Sequence, residues 1–204
     1  MRSVETARTG LTGVALLTLV MAIGSVGVAG MGGSASGCNL SDYIKGQNIR
    51  MVAVAEPGRL PGLLAETRTD YAAHLLLLSR LLEGDEANRA LRQEFRAQMP
   101  SSKVEFDLFF EGITNLKEWS VPAVRAAFQG FFDVVSALGA KDVEFTEGAL
   151  ELSFFADGEA KNYTDEVAAK ICRKAPDLFA KALNRLPPDE RAFVPSCGNA
   201  GDTR

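Results

Sequence analysis

Histidine is almost missing from this chain: His74 is the only one in 204 residues. A metal centre built on two or more histidines is therefore excluded within one chain, and a Ser–His or Cys–His nucleophile would have to use that single ring. His74 precedes Leu75-Leu76-Leu77-Leu78, an apolar run of the kind that serves packing, and so reads as a satisfied structural histidine. Cysteine is scarce as well. Cys38, Cys172 and Cys197 show no zinc-site spacing. An excess of positive charge is also lacking: 22 Lys and Arg stand against 26 Asp and Glu. A net charge of −4 leaves no basic footprint for nucleic acid and little attraction to an anionic lipid surface. Nucleophile elbow, phosphate-binding loop and helical zinc-protease pair are absent. Together these gaps point away from an enzyme, and no cofactor or metal is expected.

Charge is missing altogether from one stretch. No charged residue stands between Arg8 and Asp42, and residues 11–31 read LTGVALLTLVMAIGSVGVAGM. A helix of roughly 20 apolar residues spans a bilayer. Arg2 and Arg8 ahead of the run, with no cation immediately behind it, predict a cytoplasmic N-terminus and the remainder on the far side. The many glycines of the run and its flank, among them Gly13, Gly24, Gly27 and Gly30, argue against a helix in a water-soluble core.

The segment Ser34-Ala35-Ser36-Gly37-Cys38 resembles the lipobox of bacterial lipoprotein precursors, in which small residues precede a cysteine; the family usually has Leu where Ala35 stands. The resemblance implies cleavage before Cys38 and lipidation of its sulfur, each buried CH₂ of the acyl chain contributing about 0.8 kcal/mol of membrane affinity. An uncleaved single-pass helix and an ordinary cleaved signal peptide fit the same topology. On this reading residues 1–37 are signal peptide or anchor, 38–62 a linker, 63–198 a single globular α/β domain and 199–204 a disordered tail. With Cys38 acylated, Cys172 and Cys197 are left to form a disulfide in an oxidising compartment, the alternative being two buried thiols. The bridge would staple the tail to a predicted helix and contribute about 3 kcal/mol. The sequons Asn39-Leu40-Ser41 and Asn162-Tyr163-Thr164 matter only in a eukaryotic secretory pathway.

Hydrophobic periodicity supplies the elements. Ile49 to Ala55 reads as a short strand, and helical stretches follow from Leu63 to Leu82 and on to Gln98. Lys103 to Phe110 alternates, with Val104, Phe106, Leu108 and Phe110 on one side, and reads as a strand. A helix follows, with Val124, Phe128, Phe131, Phe132, Val135 and Leu138 as its stripe and Gly139 as its stop. Asp142 to Phe155 reads as a β-hairpin about Glu147-Gly148. A last helix is restarted at Pro176, and Arg191 to Ser196 reads as a final strand. The order over 103–196 is β-α-β-β-α-(β), that of a ferredoxin-like α+β sandwich whose antiparallel sheet carries helices on one face, preceded by a helical pair.

That sheet would carry Glu105, Asp107, Glu144 and Glu151 on its polar face, with Glu144 and Glu151 as cross-strand neighbours. Like charges opposite one another destabilise a sheet unless compensated. A hard cation or a basic partner would compensate, and the alternative is a solvated acidic face. The run Phe128 to Lys181, with Val143-Glu144-Phe145-Thr146 and Gly148-Ala149-Leu150-Glu151-Leu152-Ser153-Phe154, resembles the C-terminal part of chalcone isomerase-like proteins, a family with non-catalytic lipid-binding members. Three functions follow as expectations. The first is a membrane-tethered envelope protein with a non-catalytic binding or assembly role, as a lipoprotein or as a single-pass subunit of a membrane complex. The second is an apolar-ligand module with a cavity among Phe106, Phe128, Phe132 and Leu152. The third is a carboxylate enzyme using Glu144 and Glu151.

Overall fold

Asp70 ties the starts of two helices together. In the computed structural model, which describes residues 45–197, this carboxylate is 1% exposed and accepts three hydrogen bonds. Its Oδ1 takes the Ala73 amide at 3.1 Å, capping helix α3 (Tyr71–Gly84). Its Oδ2 takes the Lys45 amide at 2.9 Å and the Asn48 side-chain amide at 3.1 Å, holding the start of α1 (Gly46–Val54). Ten residues on, Arg80 of α3 reaches the other end of α1: its guanidinium donates to Ala53 O at 3.2 Å, to Ala55 O at 3.0 Å and to Val52 O. The two helices therefore run parallel, with an anion at the N-terminus of α1 and a cation at its C-terminus, as the helix dipole favours.

The strand expected over Ile49–Ala55 is thus a helix. Ile49 and Val52 are fully buried. A short 3₁₀ helix (Pro57–Leu63) and α2 (Leu64–Thr67) then lead into α3.

The remaining helices are α4 (Arg89–Gln98), α5 (Lys103–Thr114), α6 (Pro122–Gly139), α7 (Val143–Phe155), α8 (Gly158–Lys174), α9 (Pro176–Arg185) and the one-turn α10 (Pro188–Arg191). Every regular element among the described residues is helical, so the expected α+β, ferredoxin-like sheet does not form; the fold is an all-α bundle. α6 is its axis and packs against α1, α3, α7 and α8. Val124, Phe128, Phe131, Phe132, Val135 and Leu138 are buried on it, and so are Ala127 and Val134 on its flanks. Such breadth marks a helix enclosed by its neighbours rather than one lying on a surface.

Two expected strands fail for identifiable reasons. Lys103–Phe110 alternates, but the helix that runs on from it, α5, holds Phe106, Phe109, Phe110 and Ile113 at i, i+3, i+4 and i+7, and these are the buried residues. Val104, which the strand would have turned inward, is 68% exposed. The deciding signal is Ser102-x-x-Glu105, the sequence pattern of a capping box: Ser102 Oγ accepts the Glu105 amide at 3.3 Å, while the Glu105 carboxylate reaches one residue past the cap and accepts from the Ser101 amide and hydroxyl at 2.8 Å each.

The hairpin of Asp142–Phe155 is the single helix α7. Asp142 caps it, accepting the Glu144 amide at 2.9 Å, and Gly148, expected in a turn, lies mid-helix beneath the Arg96 guanidinium. Phe145, Thr146, Ala149, Leu150, Leu152 and Ser153 are buried at helical spacing. The two runs that resembled chalcone isomerase-like strands both belong to this helix. Arg191–Ser196 is likewise no strand: it starts at the last residue of α10 and continues as a turn.

Among the described residues no helix is long and apolar enough to cross a membrane. Cys38 and the whole of 1–37 lie outside the described residues.

Candidate functional site

The four carboxylates expected on one face are divided between two helices, Glu105 and Asp107 on α5 and Glu144 and Glu151 on α7. On α5, Glu105 is committed to the cap of its own helix, and Asp107 pairs with Lys103 at 3.0 Å. On α7, Glu144 stands in the first turn, where a negative charge suits the dipole. Glu151, seven residues further along, faces Arg96 at 3.6 Å. Without a sheet Glu144 and Glu151 are not a cross-strand pair; they stand about two turns apart on one helix. Among the described residues no three His, Cys, Asp or Glu side chains group so as to hold a metal ion.

Glu151 has its own electrostatics. Burial pushes its carboxyl above the ordinary value; Arg96 pulls it down, and Glu147 and Glu190 push it up again. A proton therefore binds the folded chain more tightly than the unfolded one. The stability contributed by this group is present below the unfolded value and is lost as pH rises through the folded value. Glu151→Gln is expected to stabilise the protein at pH 7 by less than about 1 kcal/mol, with the gain disappearing at pH 4. Urea melts at both pH values check this, and an equal gain at both would contradict it.

His74 is placed in a line that looks like a nucleophile relay. Thr67 Oγ1 lies 3.1 Å from its Nδ1, and its Nε2 lies 3.3 Å from Glu94 Oε1, so hydroxyl, imidazole and carboxylate follow in order. The hydroxyl is in no position to attack. Thr67 is 0% exposed, and its oxygen also stands 3.0 Å from Leu63 O, with which it is hydrogen-bonded. Thr67 belongs to α2, His74 to α3 and Glu94 to α4, so the line fastens three helices together. It also satisfies a buried imidazole.

The surface offers a better candidate where the C-terminal end of α3 meets α6. Leu82, Val134 and Ala137 floor a groove of about 250 Å³ rimmed by Glu83, Glu86 and Asp133. A second depression of about 290 Å³ adjoins it at Glu86 and is lined by Ala87, Arg92, Leu138 and Lys141. Glu86 pairs with Lys141 at 2.7 Å and Asp133 with Lys170 at 3.0 Å. Glu83 lies across Gly130, in space that a side chain at that position would need. Burial raises its carboxyl above the ordinary value, Arg80 lowers it and Asp133 raises it. An apolar floor under a rim of carboxylates suits contact with an apolar group flanked by a cation; it provides no nucleophile and no base–orienter pair. Sequence periodicity gave no hint of this groove, because its residues come from two helices far apart in the chain.

The cavity expected among Phe106, Phe128, Phe132 and Leu152 is filled by aromatic rings. Phe110 lies 5.9 Å from Phe106 and 5.3 Å from Phe128, and Phe132 is 5.3 Å from Phe128. Cys172 on α8 and Cys197 stand at disulfide distance, with Cα atoms 5.8 Å apart. No family model, curated protein or solved structure matches the chain.

Proposed function

We propose that this chain is a membrane-tethered envelope protein whose helical domain has a non-catalytic binding or assembly role outside the cytoplasm. The observation that carries the reading is the distribution of its cysteines. Cys172 and Cys197 stand at disulfide distance, which suits an oxidising compartment. The third, Cys38, follows a charge-free run and four small residues. Acylation of Cys38 supplies the tether, and the helical bundle supplies the exported domain. The groove between α3 and α6 supports a binding role: it is apolar, charged only at its rim, and free of any constellation that would move a proton or attack a bond.

The test is metabolic labelling in a bacterial host with an alkyne-bearing fatty acid. The full chain is expected to take up the label and Cys38→Ser to lose it. Absence of label from the unaltered chain, or equal label in both, would overturn the lipid anchor.

A further inference from the structure

The last residues of the domain hang on few ties. From Arg191 to Cys197 the chain is exposed except at Val194 and Pro195, which are half-buried. The Phe193 ring rests edge-on against Phe154 of α7, with centroids 5.3 Å apart, yet Phe193 remains 52% exposed. Lys161 Nζ donates to Phe193 O at 2.8 Å, while also serving Ser153 O and Asp165. Arg191 donates to Asn184 O and Leu186 O at 2.7 Å each. Val194 packs half-buried against the core, and the covalent tie is the bridge to Cys172, which is 4% exposed on α8. The Cys197 end is exposed and is the one a thiol can reach.

We infer that Arg191–Cys197 is a redox-sensitive clasp: reduction of Cys172–Cys197 by a dithiol frees this strap from the end of α7 while the helical body stays folded. A thiolate of the dithiol attacks Cys197 Sγ. The S–S bond breaks, and Cys172 leaves as a thiolate that takes a proton. The dithiol's second sulfur then attacks the mixed disulfide, closing its own disulfide and releasing Cys197 as a thiol. Two electrons and two protons pass to the protein.

The opening is local because the strap contributes little to the core. The rings of Phe109, Phe128, Phe131 and Phe132 sit on α5 and α6, and segments with few buried contacts open well below the global free energy. Release uncovers Phe154, which stands beside Phe155. The clasp rests on the exported reading only in that an oxidising compartment keeps the bridge formed.

Hydrogen exchange of the full chain with and without dithiothreitol tests it. Amides of 191–197 are expected to exchange about tenfold faster or more on reduction, as a locally opened segment does, with α6 and α7 unchanged. The double variant Cys172→Ser, Cys197→Ser is expected to show the fast exchange without reductant and no response to it. Unchanged exchange over 191–197 after verified reduction, or equal acceleration throughout α6–α8, would overturn the clasp. Fatty-acid labelling at Cys38 reads the tether independently, so failure of either claim is recognisable without the other.

Discussion

Phe128→Ala is expected to destabilise the domain by about 4 kcal/mol, the usual range for emptying a fully buried aromatic site. Phe128 is 0% exposed and is the hub of the aromatic core. Its ring centroid lies 5.7 Å from Phe109, 5.3 Å from Phe110, 5.2 Å from Trp119, 5.3 Å from Phe132 and 5.6 Å from Tyr163. Most of these pairs are edge-to-face, an arrangement that adds to the burial itself. The neighbours come from α5, the 3₁₀ turn Lys117–Ser120, α6 and α8, so the cavity cannot close by moving one helix. Phe128→Leu retains most of the volume and is expected to cost less than half as much. Guanidinium melts followed by helical circular dichroism read both variants. A loss below about 1 kcal/mol for alanine, the size of an ordinary surface change, would mean that the aromatic cluster is not the core.

The second large effect is expected at Asp70. Asp70→Ala removes the N-cap of α3, worth about 1 kcal/mol, and strips the partners from two donors at the start of α1, each worth about 1–3 kcal/mol where water cannot replace them. Lys45 is exposed, which limits the second contribution, and a total near 3 kcal/mol is expected. Asp70→Asn separates the parts. Its carbonyl can still accept from Ala73, but its amide faces the Lys45 and Asn48 donors. The asparagine variant should recover only the cap, about 1 kcal/mol. Full recovery by asparagine would show that the tie to α1 contributes nothing.

These two residues also show what the sequence made legible. The stripe on α6 was readable because Val124, Phe128, Phe131, Phe132, Val135 and Leu138 keep one period over about four turns, longer than a strand. Lys103–Phe110 was not, because eight residues fit both periods; extending the window to Ile113 and weighing Ser102-x-x-Glu105 would have favoured the helix. Asp142–Phe155 misled differently. With Gly148 at its middle and apolar residues on both sides, it has a weak helical stripe, since α7 is touched by α6, α8 and α9 and buries much of its circumference. The Glu147-Gly148 turn signal was local, and tertiary packing under Arg96 overrode it. α1 was hidden because its ends are held by Asp70 and Arg80, residues whose contacts span some 25 positions.

The candidate site was less legible still. The acidic face depended on a sheet, and with the sheet gone Asp107 and Glu151 stand in ion pairs on two helices while Glu105 belongs to a helix cap. His74 was read as a satisfied structural histidine, and the structure gives it two hydrogen-bond partners on neighbouring helices. The groove over Leu82, Val134 and Ala137 joins residues some fifty positions apart, and no periodicity within either helix distinguishes its residues from those of the core.

The measurement that bears most directly on the tether is the intact mass of the protein recovered from washed membranes of a bacterial host. The expected species begins at Cys38, carries a diacylglyceryl group, and is two hydrogens lighter than the reduced chain because Cys172 and Cys197 are joined. A chain in the soluble fraction without lipid, or a membrane-bound chain that still begins at Met1 with Cys38 unmodified, would contradict the lipid-tethered account.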